Sequence, residues 1–192
     1  MVQLAPWVFV LFWSTGFIVA RYGTDDAGPL SFLAIRLAIA AVILAAVAAA
    51  TGAPRPARLQ LGWAGVAGLG IHACYLGGVF LAISWGMPSG VSALIAGLHP
   101  VITSVFGRLV LSERLRRLQW VGVGLGFVGV VAVVIDHFIG HSAGLSAGML
   151  LASAVSVLGM SAGTLVQRRR GGTTPLLWGT AMQYLASAAV LG

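Results

Sequence analysis

Residues 88–134 read PSGVSALIAGLHPVITSVFGRLVLSERLRRLQWVGVGLGFVGVVAVV, and this stretch decides the fold. Residues 91–111 form an apolar run whose strongly polar members are His99 and Arg108. At about 1.5 Å per residue, the run is long enough to cross the hydrocarbon core of a bilayer. The charged segment SERLRR follows, and each such charge at the bilayer centre would cost roughly 2.5–3.5 kcal/mol. The stretch therefore predicts two membrane-spanning helices joined by a short loop in water.

The composition of the whole chain supports a membrane protein. Hydrophobic residues make up 59% and charged residues 8% of the 192 residues, so lipid must solvate most of the surface. The net charge of +7 raises nucleic-acid binding as an alternative, but all 11 basic residues are arginines near helix ends, without a basic aromatic surface. We therefore expect the lipid bilayer, and no nucleic acid, as a partner. We expect no metal or cofactor either.

Seven apolar runs account for most of the chain, and each predicts a spanning helix. The first lacks a basic n-region and a cleavage site of small residues, so it is interpreted as a retained helix rather than a signal peptide. The seventh stops at Gly192 before a full span is complete, which suggests an end short of a whole protein. The predicted spans are residues 4–22, 30–51, 60–86, 91–111, 118–135, 145–166 and 176–192.

The distribution of arginines predicts the orientation in the membrane. The loops after the second, fourth and sixth predicted spans are rich in arginine, whereas the loops after the first, third and fifth are not: Asp25 and Asp26 follow the first span and Asp136 follows the fifth. Because basic loops stay in the cytoplasm, the N-terminus is predicted to be cytoplasmic. The basic residues of these loops are Arg55, Arg58, Arg114, Arg116, Arg117 and Arg168 to Arg170.

An odd number of spans precedes the polar loop around residue 140, so a second copy of the unit would be inserted upside down. Such inverted repeats are common in secondary transporters. Aligning Pro29-Leu30 with Pro175-Leu176 matches the second span with the seventh. We predict a first five-span repeat at 1–140 and the start of a second, truncated inverted repeat at 141–192.

Five short motifs occur along the chain in a characteristic order. They are W-S-x-G-F from Trp13, P-x-x-F-L-A-x-R from Pro29, A-L-I-x-x-L-x-P from Ala93, E-R-L from Glu113, and Q-x-x-G-x-x-L-G-x-x-G-V from Gln119. In this order the chain resembles the EamA-type transporters of the drug/metabolite transporter superfamily. The resemblance covers residues 4–135 closely and 145–192 loosely.

The resemblance implies an all-α, polytopic membrane bundle of ten spans in two inverted five-span repeats, of which about seven are present. It also implies an inner-membrane secondary transporter, not an enzyme, that exports small organic metabolites such as amino acids by alternating access. Proton coupling is left open. The alternative is a half-size or truncated subunit that acts only after pairing, for example as a homodimer.

Three ionisable residues inside predicted spans are the main candidates for contacts with a small-molecule substrate. Intramembrane charges usually face a cavity or a partner, so Arg36 is a candidate contact for an anionic group. Its alternatives are pairing with Asp25 or Asp26, or snorkelling to the surface. His72 and His99 could bind substrate or exchange protons. Each could instead be a neutral imidazole bonded between helices.

Further candidates supply aromatic, hydroxyl and backbone features. Trp13 and Ser14, with Thr15 and Phe17 beside them, and Tyr75 are predicted to contribute to a substrate cavity, with helix packing as the alternative. Pro100 removes a backbone donor inside the fourth span, which predicts a kink there and a role in gating.

Three other patterns have competing interpretations. Gly122 and Gly126 form a GxxxG motif that predicts packing between helices of the chain, with a homodimer face as the alternative. Residues 140–144 match G-x-S-x-G, but the pattern lies in a loop between spans and not on a strand-to-helix turn, so a hydrolase is rejected. His72 and His99 could hold a haem as axial ligands, although no second pair accompanies them.

Overall fold

A computed structural model describes residues 28–111, 117–139 and 144–192, together with Trp7 and Val10. These residues form helices and connecting turns, with no strand among them. The helices are α1 (Pro29–Ala50), α2 (Arg58–Gly68), a π-helical segment (Leu69–Cys74), α3 (Tyr75–Ser84), α4 (Ser89–Ala96), α5 (His99–Leu111), α6 (Arg117–Ile139), α7 (Ala147–Arg170) and α8 (Leu176–Leu191).

The helices agree with the predicted second to seventh spans. In the described part of the chain, four helical stretches are long and apolar enough to cross a membrane, namely Pro29–Ala50, Arg58–Ser84, Ser89–Leu109 and Ala147–Arg170. Arg117–Ala132 and Leu176–Leu191 are shorter apolar helices. The predicted first span lies outside the described residues, except for Trp7 and Val10. The protein is a polytopic helical membrane bundle.

Two glycines and one serine set helix ends. Gly52 (φ 65°) follows α1, and Gly86 (φ 102°) follows α3. Only a residue without a Cβ adopts this left-handed conformation at no cost, and the chain then turns back to bond carbonyls of the last helical turn. The amide of Met87 donates to the Ala82 carbonyl at 3.0 Å, for example. At the start of α7, the Ser146 side chain caps the amide of Met149 at 3.2 Å.

The centre of the bundle is formed by the contacts of α7 and α8 with the earlier helices. Helix α8 packs along α1 and α2, and α7 packs against the π-helical segment and α3. Leu33 and Leu37 of α1 form a buried cluster with Ala188 of α8. Helix α6 makes few contacts, and its residues Leu118 and Leu125 are largely exposed.

Glycines allow the backbones of the π-helical segment and α7 to approach closely. A Cβ on Gly163 would lie 2.6 Å from the Ala67 carbonyl oxygen and 2.8 Å from the Ile71 amide nitrogen. A Cβ on Gly70 would lie 2.5 Å from the carbonyl oxygen of Gly159. Membrane helices associate through such small residues because lipid leaves little hydrophobic gain between them.

The GxxxG motif in α6 was predicted to pack against another helix. In the described residues, one of its two glycines lies next to a neighbouring side chain. A Cβ on Gly126 would lie 3.6 Å from Cγ2 of Val101, whereas one on Gly122 would meet no heavy atom within 4 Å. The close glycine contacts among the described residues instead lie between the third predicted span and helices α7 and α8, as at Gly70, Gly78 and Gly68. The motif in α6 is not among them.

Two of the arginine-bearing loops lie at the same end of the bundle. The Gln60 side-chain amide donates to the hydroxyl of Thr173 at 3.0 Å, and the Trp178 indole N–H donates to the Ala53 carbonyl at 3.3 Å. The guanidinium of Arg170 lies 5.0 Å from the centre of the Trp63 ring. This arginine end is the arrangement expected from the charge pattern, although the side of the membrane it faces stays a prediction.

Two local features depart from a simple row of α-helices. The predicted kink in the fourth span is a break: α4 ends at Ala96 and α5 begins at His99, so the helix is interrupted before Pro100 rather than at it. Pro100 has no N–H for the Ala96 carbonyl, which explains the interruption. The third span contains the π-helical segment, which the sequence reasoning did not predict.

Candidate functional site

His72 lies inside the π-helical segment and contacts α8 through two side chains. Its Nε2 atom lies 3.3 Å from Oε1 of Gln183, and its ring meets the ring of Tyr184 edge-on, with centroids 4.7 Å apart. The imidazole is therefore held from a neighbouring helix rather than left open.

The π-helical segment changes which backbone groups are bonded beside His72. A π-helical turn is wider than an α-helical turn. Such segments are short, and they often occur at functional sites within helices. The Gly68 carbonyl, at the start of this segment, accepts a hydrogen bond from the Ser187 hydroxyl at 2.9 Å. Ser187 is fully buried, and its hydroxyl also lies 2.8 Å from the Gln183 carbonyl oxygen. Helix α8 thus bonds the start of the π-helical segment through Ser187 and contacts His72 through Gln183.

His99 is the first residue of α5 and contacts hydroxyl groups of two helices. Its Nδ1 atom lies 3.1 Å from Oγ1 of Thr103 in α5 and 3.3 Å from Oγ of Ser161 in α7. Ser161 is fully buried. This arrangement joins the broken fourth span to α7.

The two histidines are engaged with different helices, His72 with α8 and His99 with α7. These contacts give no support to a haem held between them. Across the described ranges, no group of three or more His, Cys, Asp or Glu side chains could hold a metal ion. Each histidine connects a helix of the predicted first repeat to a helix of the predicted second.

Arg36 is exposed on α1, on the stripe that also carries the exposed residues Ile39 and Ile43. The buried side of α1 is formed instead by Leu33 and Leu37. Within the described residues, Arg36 is thus not enclosed by neighbouring helices. Its predicted contact with an anionic group remains a prediction.

The other predicted site residues have different surroundings. Tyr75 is 3% exposed and belongs to a packed cluster with Val79 and Phe80, so it does not lie on an open wall. Pro100 is exposed, and its carbonyl accepts a hydrogen bond from Ser104 at 2.7 Å. Trp13, Ser14, Thr15 and Phe17 lie outside the described residues, as do residues 140–143 of the G-x-S-x-G pattern.

Sequence reasoning missed the partners of both histidines. Gln183 and Ser161 are polar residues within apolar helices, and that was the available signal, because a buried polar group in lipid needs a hydrogen-bonding partner. Gln183 is 8% exposed, and Thr103, the second hydroxyl at His99, is 4% exposed. Their partners could not be assigned from a sequence without knowledge of the packing.

Comparison with known proteins gives a family. The sequence pattern of the EamA-like transporter family matches residues 4–135. The chain is 31% identical over 148 residues to the "Probable amino-acid metabolite efflux pump" of Salmonella typhimurium, covering 77% of this chain and 48% of that protein. It is 31% identical over 134 residues to the "Uncharacterized inner membrane transporter YedA" of Escherichia coli (strain K12), covering 67% and 44%.

A more distant relative is the "Uncharacterized transporter YyaM" of Bacillus subtilis, which is 26% identical over 127 residues and covers 66% of this chain and 42% of that protein. The chain thus spans about half the length of the curated relatives it matches. No solved structure matches it. Because the family match includes well over half of the residues, the chain belongs to the EamA-like transporter family.

Proposed function

We propose that this protein takes part in the export of small organic metabolites across the inner membrane by alternating access. Amino acids are the first class of substrate to test. In this proposal residues 1–140 form one five-span repeat, and residues 141–192 begin a second, inverted one. The N-terminus is cytoplasmic, as the arginine-rich loops predict.

The observation that carries the proposal is the position of the polar side chains. Polar groups inside a membrane bundle are costly, and they commonly mark the route of a substrate or ion. Here His72 bonds to Gln183, and His99 lies within hydrogen-bonding distance of Ser161, each across the contact between the two predicted repeats. In transporters built from repeats, the binding site lies at the interface between them.

Two further features support the proposal. The relative from Salmonella typhimurium is named as an efflux pump for amino-acid metabolites, and the one from Escherichia coli as an inner membrane transporter. In addition, α1 and α8, which the repeat alignment matches to each other, pack together along their lengths. Contact between equivalent helices is expected around the pseudo-two-fold axis of an inverted repeat.

The histidines suggest how transport could be driven. An imidazole can change its charge near neutral pH, so His72 or His99 could couple export to proton entry. Arg36 would then attract an anionic group of the substrate toward the same part of the bundle. Pro100, next to His99, would permit movement of α5 relative to α4 as the gate.

The proposal is tested by measuring amino acids in the medium of cells that express the protein. We expect more export than with an empty vector, and loss of that gain in His72→Asn. Leu185→Ala is the matched control, since Leu185 lies on the exposed side of α8. Export by His72→Asn equal to that of the parent would remove His72 from the mechanism. Equal export with the empty vector would count against the proposal itself.

A second candidate function is a half-size subunit that works only after pairing with another copy. The observation in its favour is α6, whose Leu118 and Leu125 are 80% and 70% exposed and whose Gly122 has no atom of the described residues within 4 Å of an added Cβ. Gly122→Cys in a Cys74→Ala background tests it by disulfide crosslinking in membranes. A crosslinked dimer that exports amino acids supports pairing, and a protein that stays monomeric while exporting excludes it.

A further inference from the structure

A cavity of about 90 Å³, lined by both polar and apolar residues, lies between α2, α7 and α8 at the arginine end. Its polar walls come from all three sides: Trp63 of α2, Gln167 of α7, Thr174 of the loop, and Thr180 and Gln183 of α8. The apolar grooves elsewhere on the bundle, such as the one beside Leu185, have aliphatic walls that suit lipid. Polar walls instead favour a hydrated interior.

Thr174 is one of the polar residues that line this cavity. Its hydroxyl is buried and has no hydrogen-bonding partner among the described residues. Buried polar groups are nearly always bonded to protein or to ordered water. One water needs about 10–15 Å³ of accessible volume and two to four polar partners. The cavity has room for several waters, and its lining supplies those partners.

The inner end of the cavity is formed by Gln183, the hydrogen-bonding partner of His72. Thr180 and Gln183 are three residues apart on α8, so they lie on the same face of the helix, one turn after the other. Gln183 lines the cavity and is bonded to Nε2 of His72 at 3.3 Å. A path from the arginine end thus passes Thr174 and Thr180 and stops at the side chain that holds His72.

Beyond Gln183 the bundle is closed by packed side chains. Ser187, the next residue on this face, is 0% exposed and uses its hydroxyl on the Gly68 carbonyl. Leu33 and Leu37 form an apolar cluster beside it, and Tyr75 and Phe80 form another one turn further along. Among the described residues, the polar lining of the cavity therefore ends at Gln183.

We propose that this cavity is a water-binding vestibule that leads from the arginine end to Gln183, and that Gln183 is a positioning residue that holds His72 at its inner end. The role of His72 rests on the proposed function, but the vestibule does not. Its ligand is water, and hydronium where His72 exchanges protons. It gives the histidine a connection to one side of the membrane in this conformation.

Single cysteines and a charged, membrane-impermeant methanethiosulfonate reagent test the vestibule in the full chain. In a Cys74→Ala background, Thr180→Cys probes the middle and Gln183→Cys probes the inner end. Leu185→Cys is the control, because it is 53% exposed on the same helix but faces an apolar groove. Thr173→Cys, in the exposed loop of the arginine end, identifies the accessible side.

We expect Thr180→Cys and Gln183→Cys to react at least about tenfold faster than Leu185→Cys, because the thiolate is the reactive form and an apolar environment suppresses it. Their labelling should occur from the same side as that of Thr173→Cys, and only from there. Rates equal to that of Leu185→Cys, or labelling from both sides, would overturn the vestibule. If Thr180→Cys is labelled and Gln183→Cys is not, the proposal that the vestibule reaches His72 would be overturned.

Thr174→Cys keeps the test decisive if a helix variant does not fold. This position is in a loop and lines the same cavity, so fast one-sided labelling is expected and slow labelling contradicts the proposal. The labelling rates do not depend on transport. If the protein exports nothing but labels as expected, the vestibule stands and the proposed function fails. If it exports but labels slowly, the proposed function stands and the vestibule fails.

Discussion

The Nε2 atom of His72 lies 3.3 Å from Oε1 of Gln183, although the two residues are 111 positions apart in the chain. This contact joins the π-helical segment of the third predicted span to the seventh. It also gives the partly buried imidazole of His72 a polar partner between apolar helices. The candidate site is therefore built from both predicted repeats, and neither of them supplies it alone.

Replacing Gln183 by leucine should destabilise the bundle. Gln183→Leu leaves Nε2 of His72 without a partner, and interhelical hydrogen bonds of this kind contribute about 1 kcal/mol in membranes. Unfolding of the purified protein in mixed micelles with increasing denaturing detergent measures the difference. Leu185→Ala, two residues away on the exposed side of α8, is the control. If both variants lose the same stability, the His72–Gln183 contact contributes nothing.

Two identical substitutions at glycines should have opposite effects. Gly163→Ala places a Cβ 2.6 Å from the Ala67 carbonyl oxygen, so the backbones must separate. Overpacking of this kind costs about 1–3 kcal/mol. Gly122→Ala meets open space and should be neutral or stabilising by up to about 1 kcal/mol, because alanine favours the helix. The same unfolding assay compares them. A stability loss at Gly122 as large as at Gly163 would contradict the described packing.

The two hydroxyl groups at His99 should compensate for each other. Either Thr103 or Ser161 can bond Nδ1, so Thr103→Ala and Ser161→Ala should each reduce stability only slightly. The double variant leaves the ring nitrogen unpaired and should lose more than the sum, with a coupling of about 0.5–1 kcal/mol. A double-mutant cycle measures this coupling. Strict additivity would mean that one of the two contacts is absent in the membrane.

The charge pattern predicts an orientation that reporter fusions can measure. Alkaline phosphatase, which is active only outside the cytoplasm, should be active when fused after Gly192 and inactive when fused after Gly171. The reason is that the loop after the sixth span carries Arg168 to Arg170 and should remain inside. The reverse pattern of activity would show that the N-terminus is not cytoplasmic.

The positions of the spans could be predicted because hydropathy and polar breaks determine them. Residues 30–51 were predicted for the second span and α1 is Pro29–Ala50, and residues 145–166 were predicted for the sixth and α7 is Ala147–Arg170. The arginines at 168–170 continue that helix, since cations at a helix C-terminus are favourable. Hydropathy alone had ended the span too early.

The surroundings of individual side chains were harder to predict. Helix α1 is apolar on every side, so no periodicity indicates which face Arg36 occupies, and it proved to be exposed. The π-helical segment depends on the close approach of Gly70 to α7, which is a tertiary contact. The same holds for Gln183 and Ser161. Their polar character was visible in the sequence, but their partners are set by packing.

The most direct test of the account is efflux of a labelled amino acid from proteoliposomes that contain the purified 192-residue protein. We predict efflux above that of protein-free liposomes, its loss in His72→Asn, and its retention in Leu185→Ala. Efflux indistinguishable from protein-free liposomes over a panel of amino acids would contradict export by this protein alone. Undiminished efflux in His72→Asn would contradict the site at its centre.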